Sequence, residues 1–295
     1  MVKSMSWVFF TLGAVVMQTF RNALQSQLSG KVSIAGVTLA RFLFAPPIAL
    51  AYLGLLYGFS AQIIPAFNSL FIVIVFFAAL LQIAATALMV VLFKQKNFAV
   101  GAGLAKSEAL VAGVLGTVFF SSHLSLLGWL GILVGGVAIF VLSGSGRRGQ
   151  LSIKTIVIGL ACGTCFALTS LLVREASHLL TVPFPHSAAW VLLWVLCIQS
   201  ILLIIYIAIK DKHTFTVLKA NSKMTLATST TSCLGSICWF SAMALQHVAY
   251  VKTLGQVEVL LTMLIATFWL KNKVQAHEVL GLLLIAVAAI LVMWA

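Results

Sequence analysis

Apolar residues run along this chain in long blocks, broken at short intervals by glycine, proline and charged side chains. Ten blocks stand out, near 6–28, 34–57, 69–95, 98–121, 125–143, 153–176, 187–209, 223–248, 250–271 and 275–295. Most hold about 18–26 residues, and a helix rising about 1.5 Å per residue needs roughly 20 to cross a hydrocarbon core about 30 Å thick. Each block therefore predicts a membrane-spanning helix. The connections between them are too short for a soluble domain, so any chemistry falls to groups inside the spans. The first block carries Gln18, Arg21, Asn22 and Gln25, which would interrupt the apolar core of a cleaved signal peptide, and is read as a helix of the mature protein.

Residues 88–144 lie over 238–294 without a gap at an offset of 150. In that register Glu108 falls on Glu258, Leu110 on Leu260, Thr117 on Thr267 and Gly131 on Gly281, while Lys106 meets Gln256 and Phe119 meets Trp269. A weaker echo sets Gly13 against Gly159 and Phe20 against Phe166, with Arg21-Asn22 facing Ala167-Leu168. The chain thus reads as two copies of a five-span unit. An odd number of crossings returns the chain to the opposite face, so the second copy is expected upside down relative to the first. Inverted repeats of this kind are a recurring plan of secondary transporters, with substrate bound near the midplane between the halves. The joint is expected at Gly144-Ser145-Gly146-Arg147-Arg148-Gly149.

Composition sharpens this. Hydrophobic residues make up 62% of the chain and charged residues 8%, far from soluble usage. The net charge of +13 raises the question of nucleic acid, but the charges are sided. Of the 18 Lys and Arg, 12 fall in alternate connections: Lys31, Lys94, Lys96, Arg147, Arg148, Lys154, Lys210, Lys212, Lys219, Lys223, Lys271 and Lys273. Lys3, Arg174 and Lys252 are assigned to the other side, and Arg21, Arg41 and Lys106 to the spans. Cytoplasmic loops collect Lys and Arg, so this pattern reads as topology, with both termini outside, and as attraction to lipid headgroups; no nucleic-acid partner is expected. The five cysteines fall within spans, and Cys162-Gly163-Thr164-Cys165 is read as helix packing rather than a redox or metal pair. No cofactor, metal site or enzyme constellation is expected.

A charge at bilayer depth costs at least about 2.5–3.5 kcal/mol, so each one asks for a partner, a wet cavity or a function. Arg21, Arg41, Lys106, Glu108, Gln256 and Glu258 are the candidates. Lys106 and Glu108 are about 200° apart around a helix and are not expected to pair with each other; one should point to a cavity and the other to a neighbouring helix. Both copies keep the carboxylate. Two roles are open for Glu108 and Glu258: taking and releasing protons near neutral pH, or forming internal ion pairs with Arg21, Arg41 or Lys106. Arg41 either snorkels to the interface or reaches a substrate carboxylate or phosphate. Trp239, Phe240, Tyr250 and Trp269 either wall a site or anchor at the membrane surface, and His123, His247 and His277 are read as solvated or capping groups. Pro46-Pro47 should kink or break the second span, and Gly131 and Gly135 should let helices approach closely, within the monomer or in a homodimer. The repeat counterpart of Gly135 is Ile285.

Ten spans in two inverted sets of five, the Arg41-Phe42 opening of the second helix, and the Phe119-to-Gly131 and Trp269-to-Gly281 elements resemble the drug/metabolite transporter superfamily, EamA type. The resemblance covers nearly the whole chain and divides it into repeats 1–146 and 147–295. It implies an all-α integral membrane protein of ten transmembrane helices around a central cavity, lined mainly by the first four helices of each half. It also implies alternating-access movement of amino acids, nucleotide-like compounds or other small metabolites across the inner (plasma) membrane. Members often carry Pro where this chain has Glu108 and Glu258, and an acidic residue where it has Ser121-Ser122-His123 and Lys271-Asn272-Lys273. Many keep their termini in the cytoplasm, opposite to the charge count here.

The leading expectation is a secondary transporter of an amino acid or related zwitterionic or anionic solute, driven by H+ or by exchange. Arg21, Asn22, Arg41, Lys106, Glu108, Trp239, Gln256 and Glu258 are its substrate-binding or coupling residues. A broad-specificity drug or cation exporter, or a lipid-handling or non-transporting membrane protein, are the alternatives.

Overall fold

A computed structural model describes residues 5–94, 105–144, 153–261 and 276–295. Among these residues the regular structure is helical throughout. The helices are α1 (Ser6–Ser29), α2 (Ile34–Phe42), α3 (Ala45–Phe59), α4 (Ser69–Phe93), α5 (Glu108–Phe119) and α6 (Leu126–Gly144). They continue with α7 (Ile153–Leu179), α8 (His186–Lys210), α9 (His213–Ala220), α10 (Ser222–Leu245), α11 (Val248–Gly255) and α12 (Ala276–Met293). The joint at 145–152 lies outside the described residues, as do the opening of the fourth block and the end of the ninth, with Trp269 and Lys271–Lys273.

Among the described residues four segments are long and apolar enough to cross a membrane: Ile34–Phe59, Ser69–Phe93, Ile153–Leu179 and His186–Lys210. Helices α1 and α10 are as long but fall short of that hydropathy, because α1 carries Gln18, Arg21, Asn22 and Gln25 and α10 carries Thr225, Ser229, Ser232 and Ser236. These two helices pack lengthwise on each other, with Gly13 against Cys238 and Gly235 against Met17. Their outer faces, with those of the other helices, present Phe9, Phe20, Phe77, Val118, Leu160 and Ile205 to the surroundings, as a bilayer requires. Helix α4 packs along α7 in the same manner, and α6 along α12, with Gly131 against Ala288, Leu291 and Val292.

The interruption expected at Pro46-Pro47 is a break: α2 stops at Phe42 and α3 starts at Ala45 with proline in its first turn, where a missing N–H is tolerated. The carbonyls that the prolines leave open must find other donors. Ser200 Oγ of α8 donates to the Phe42 carbonyl at 2.9 Å, and Ser229 Oγ of α10 accepts from the Phe44 N–H at 2.8 Å.

Lysines gather at one end. Lys31 Nζ is 3.4 Å from Asn221 Oδ1, and Lys94 Nζ donates to the Val32 carbonyl at 3.2 Å, so three connections meet there. Helix α9 lies in this region and was not expected; its polar sequence hides it from a search for apolar blocks. Two basic residues assigned to the opposite loops belong elsewhere. Arg174 lies inside α7 and donates to the carbonyls of Met243 and Gln246 at 2.7 and 2.5 Å, closing the C-terminal end of α10. Lys252 lies inside α11 and is 8% exposed.

Candidate functional site

The sequence gives the fourth and ninth spans as continuous helices, but both are interrupted where it sets Lys106 on Gln256. Residues 106–107 form a turn ahead of Glu108, the first residue of α5. Residues 256–257 form a turn after α11, and helix resumes at Glu258. The second turn is closed by short-range bonds, Gln256 N–H to the Thr253 carbonyl and Val257 N–H to the Leu254 carbonyl, both at 3.1 Å. Each carboxylate thus begins a helical segment, where the exposed N–H groups favour negative charge. Interrupted helices of this kind are how transporters bring polar groups to the midplane.

Around these breaks the side chains form one connected cluster. Lys106 Nζ pairs with Glu258 Oε2. Gln18 Nε2 donates to the same oxygen at 2.5 Å, and Asn22 Nδ2 donates to Oε1 at 2.7 Å. Residues 18 and 22 are one helical turn apart, so the polar face of α1 meets a single carboxylate twice. Gln18 Oε1 accepts from the Trp239 indole N–H at 2.9 Å. Lys252 Nζ lies 4.5 Å from the centre of the Trp239 ring and 3.3 Å from Glu108 Oε2. Gly255 makes room for that indole: a Cβ there would stand 2.5 Å from Trp239 Cη2. Arg21 is 5% exposed, lies close enough to feel both carboxylates, and donates to Asn22 Oδ1 at 3.0 Å. Its Nε is buried with no hydrogen-bond partner.

Lys106 and Glu108 do not pair with each other, as the sequence requires, but the expectation that they would part company is corrected. Both reach the segment 252–258, because the turn at 106–107 abolishes the regular 100° step between them. Of the ion pairs open from the sequence, Glu258 takes Lys106; Glu108 takes Lys252, which was placed in a loop. Gln18 and Lys252 are the cluster members missed. Gln18 was legible as the start of a polar face with Arg21, Asn22 and Gln25. Lys252 was legible only as a cation four residues ahead of Gln256.

Two predicted site residues stand apart from the cluster. Gln256 points into the helix pair formed by α6 and α12: its Oε1 is 2.6 Å from where a Cβ on Gly135 would be, and both amide atoms are buried without a hydrogen-bond partner. The turn directs it away from Glu258. Arg41 is buried, not snorkelling, and donates to Thr86 Oγ1 at 2.6 Å and Ser232 Oγ at 3.1 Å. Tyr250 binds the α5–α6 connection through its hydroxyl, which accepts from Ser125 N–H at 2.9 Å. A cavity of about 430 Å³ opens at the end remote from the lysines, lined by His123, Ser125, Gln246, His247, Tyr250 and Ala295. None of the predicted site residues lines it. Cys162 donates its thiol to the Ala85 carbonyl of α4 at 3.3 Å, a contact between helices.

A solved structure titled only as the crystal structure of a protein is similar to this chain at 16% identity and a TM-score of 0.71, covering 97% of this chain and 96% of its own. At that identity the likeness speaks for the fold. No curated protein matches. The EamA-like transporter family matches residues 153–294, from the first residue of α7 through α12. This part of the chain is similar to the EamA-like transporter family, which belongs to the drug/metabolite transporter superfamily and whose members are integral membrane proteins.

Proposed function

We propose that this protein is a secondary transporter of a small organic solute carrying a carboxylate or similar anion, with an amino acid or related zwitterion the best fit. One observation carries the reading: among the described residues the buried cluster holds three cations, Arg21, Lys106 and Lys252, against two carboxylates, Glu108 and Glu258. A bundle interior with one positive charge in excess favours an anionic guest, and the Arg21 Nε, buried and unpaired, is a donor ready for it. A substrate ammonium would compete with the lysines for a carboxylate. The same excess argues against a cation exporter, and the face of Trp239 is already taken by Lys252.

The halves 1–146 and 147–295 are read as inverted five-helix repeats of a ten-span bundle. Helix packing supports this. Shifted by 150, α1 falls on α7, α4 on α10, α2 with α3 on α8, and α6 on α12. The pairing α1–α10 then maps onto α7–α4, and the pairings α6–α12 and α3–α8 map onto themselves. Both ion pairs cross between the halves, so rocking one half against the other must exchange or release them. Alternating access would then be linked to what neutralises Lys106, Lys252 and Arg21: a protein carboxylate in one facing, the substrate in the other. Protons taken up by Glu108 or Glu258 would drive the cycle. The chain is placed in the inner (plasma) membrane, with the lysine-bearing end inside and both termini outside.

The test is uptake into liposomes loaded with the purified protein, across a panel of amino acids and small organic acids, at several pH values. Glu108→Gln and Glu258→Gln are expected to flatten the pH dependence, and Arg21→Gln to weaken competition by anionic solutes. Unchanged pH profiles in both glutamine variants would remove the proton-coupling role. Transport confined to organic cations would remove the substrate class.

A further inference from the structure

Arg41 presents a different problem from the cluster. It is 3% exposed, yet its two partners, Thr86 Oγ1 and Ser232 Oγ, are neutral hydroxyls. The two ion pairs among the described residues consume Glu108 and Glu258 on Lys252 and Lys106. Asp211 binds Thr214 in the α8–α9 connection, and Glu175 lies near Arg174 in α7. The charged group whose field Arg41 feels most is Arg21, which repels it. Among the described residues, then, this buried guanidinium has no carboxylate partner. A buried cation without a counter-charge is expensive and asks for a function.

The surroundings supply donors. Thr86 spends its hydroxyl hydrogen on the Gln82 carbonyl at 2.8 Å, so toward Arg41 it acts as acceptor. Ser232 accepts from Arg41 Nε, and its own O–H donates no hydrogen bond among the described residues. Arg41 Nη2 likewise makes none among them. The N-terminus of α3, at Ala45, begins four residues beyond Arg41, and Ser229 bridges the two, accepting from Phe44 N–H at 2.8 Å and lying 3.5 Å from the Arg41 carbonyl. A guanidinium with an unused nitrogen and an unspent hydroxyl stand together with no acid among the described residues; the first turn of α3 adds no donors, since Pro46 and Pro47 lack N–H groups and Ser229 takes the Phe44 N–H. We propose that Arg41 and Ser232 form an anion site separate from the carboxylate cluster, one that takes a small monovalent anion of chloride or carboxylate chemistry. It does not depend on the transport reading, since an anion can bind whether or not anything is carried.

The purified full-length protein in detergent is melted in sodium gluconate, with chloride or acetate titrated in at constant ionic strength. A saturable rise in Tm is expected for the wild type, because a ligand bound only by the folded state stabilises it. Arg41→Gln is expected to lose the response and, in gluconate alone, to melt no lower than wild type, since it removes an uncompensated charge. Ser232→Ala is expected to right-shift the titration several-fold; this variant keeps the guanidinium and serves if Arg41→Gln does not fold. A response to chloride indicates an ion site, and a response to acetate alone indicates a place for the carboxylate of a solute; either supports the proposal. A wild-type Tm indifferent to both anions, or a response that survives in both variants, overturns it. Loss of pH-dependent uptake in Glu258→Gln with the chloride response intact would separate this site from the transport cluster.

Discussion

Removing the ammonium from Lys106, as in Lys106→Met, takes the ion-pair partner from the Glu258 carboxylate and leaves in place its two amide donors, Gln18 at 2.5 Å and Asn22 at 2.7 Å. The Lys106 and Glu258 side chains are 16% and 6% exposed, so solvent does little to compensate. Breaking a pair this deeply buried by removing one partner typically costs about 3–5 kcal/mol. Two hydrogen bonds to the charged carboxylate survive, so the lower end, about 3 kcal/mol, is expected here. Glu258→Gln strands the lysine instead and also turns one amide donor against an amide N–H, so it should cost at least as much. The double variant Lys106→Met/Glu258→Gln buries no stranded charge of this pair and should recover about 2 kcal/mol or more relative to the sum of the singles. The measurement is a double-mutant cycle on unfolding in mixed detergent micelles, followed by tryptophan fluorescence. Singles that add to within about 0.5 kcal/mol would show that the two groups do not depend on each other, and the cluster as the centre of the site would fall.

Gln256→Met replaces a buried amide that has no hydrogen-bond partner with an apolar chain of similar length against Gly135, and should raise stability by about 1–3 kcal/mol in the same unfolding assay. Arg174→Met takes two hydrogen bonds from the carbonyls of Met243 and Gln246 and should lower stability by about 1–3 kcal/mol, with the earliest exchange of amide hydrogens at the end of α10. The Thr214 hydroxyl holds the Asp211 carboxyl below its ordinary value of 3.8. Its support of the α8–α9 connection is therefore full above that value and lost as pH falls below it. Amide exchange in α9 should accelerate across that acid range in the wild type and be insensitive to it in Asp211→Asn.

Most helix positions were legible because each rests on a local signal. Block lengths and the glycines, prolines and charges between them place α1, α4, α6, α7, α8, α10 and α12 within a few residues. The break at Pro46-Pro47 was legible for the same reason, since a proline's missing donor is a property of one residue. The breaks at 106–107 and 256–257 have no proline to announce them and arise where a carboxylate must turn toward a partner some 150 residues away. The site was legible as an inventory of buried charges, not as a set of pairings. Nothing in the sequence around Glu108 distinguishes Lys252 from Lys106 as its counter-ion, because both choices depend on how the halves meet. Gln256 was misplaced on its alignment with Lys106: equivalence in a repeat fixes backbone position, but a turn decides which way the side chain leaves it.

That difference sets a bias. On the inverted-repeat reading, a perfect swap of roles between the halves would send Lys106 into the niche equivalent to the one Gln256 occupies beside Gly135. The equivalent of Gly135 is Ile285, a fully buried side chain packed against Ala138, Ile139 and Val257. No hollow waits there for an ammonium. On the proposed alternating-access cycle, inward and outward forms would therefore not be mirror images of equal energy, and an empty carrier would dwell in one of them, leaving the solute or the proton to do the work of reaching the other.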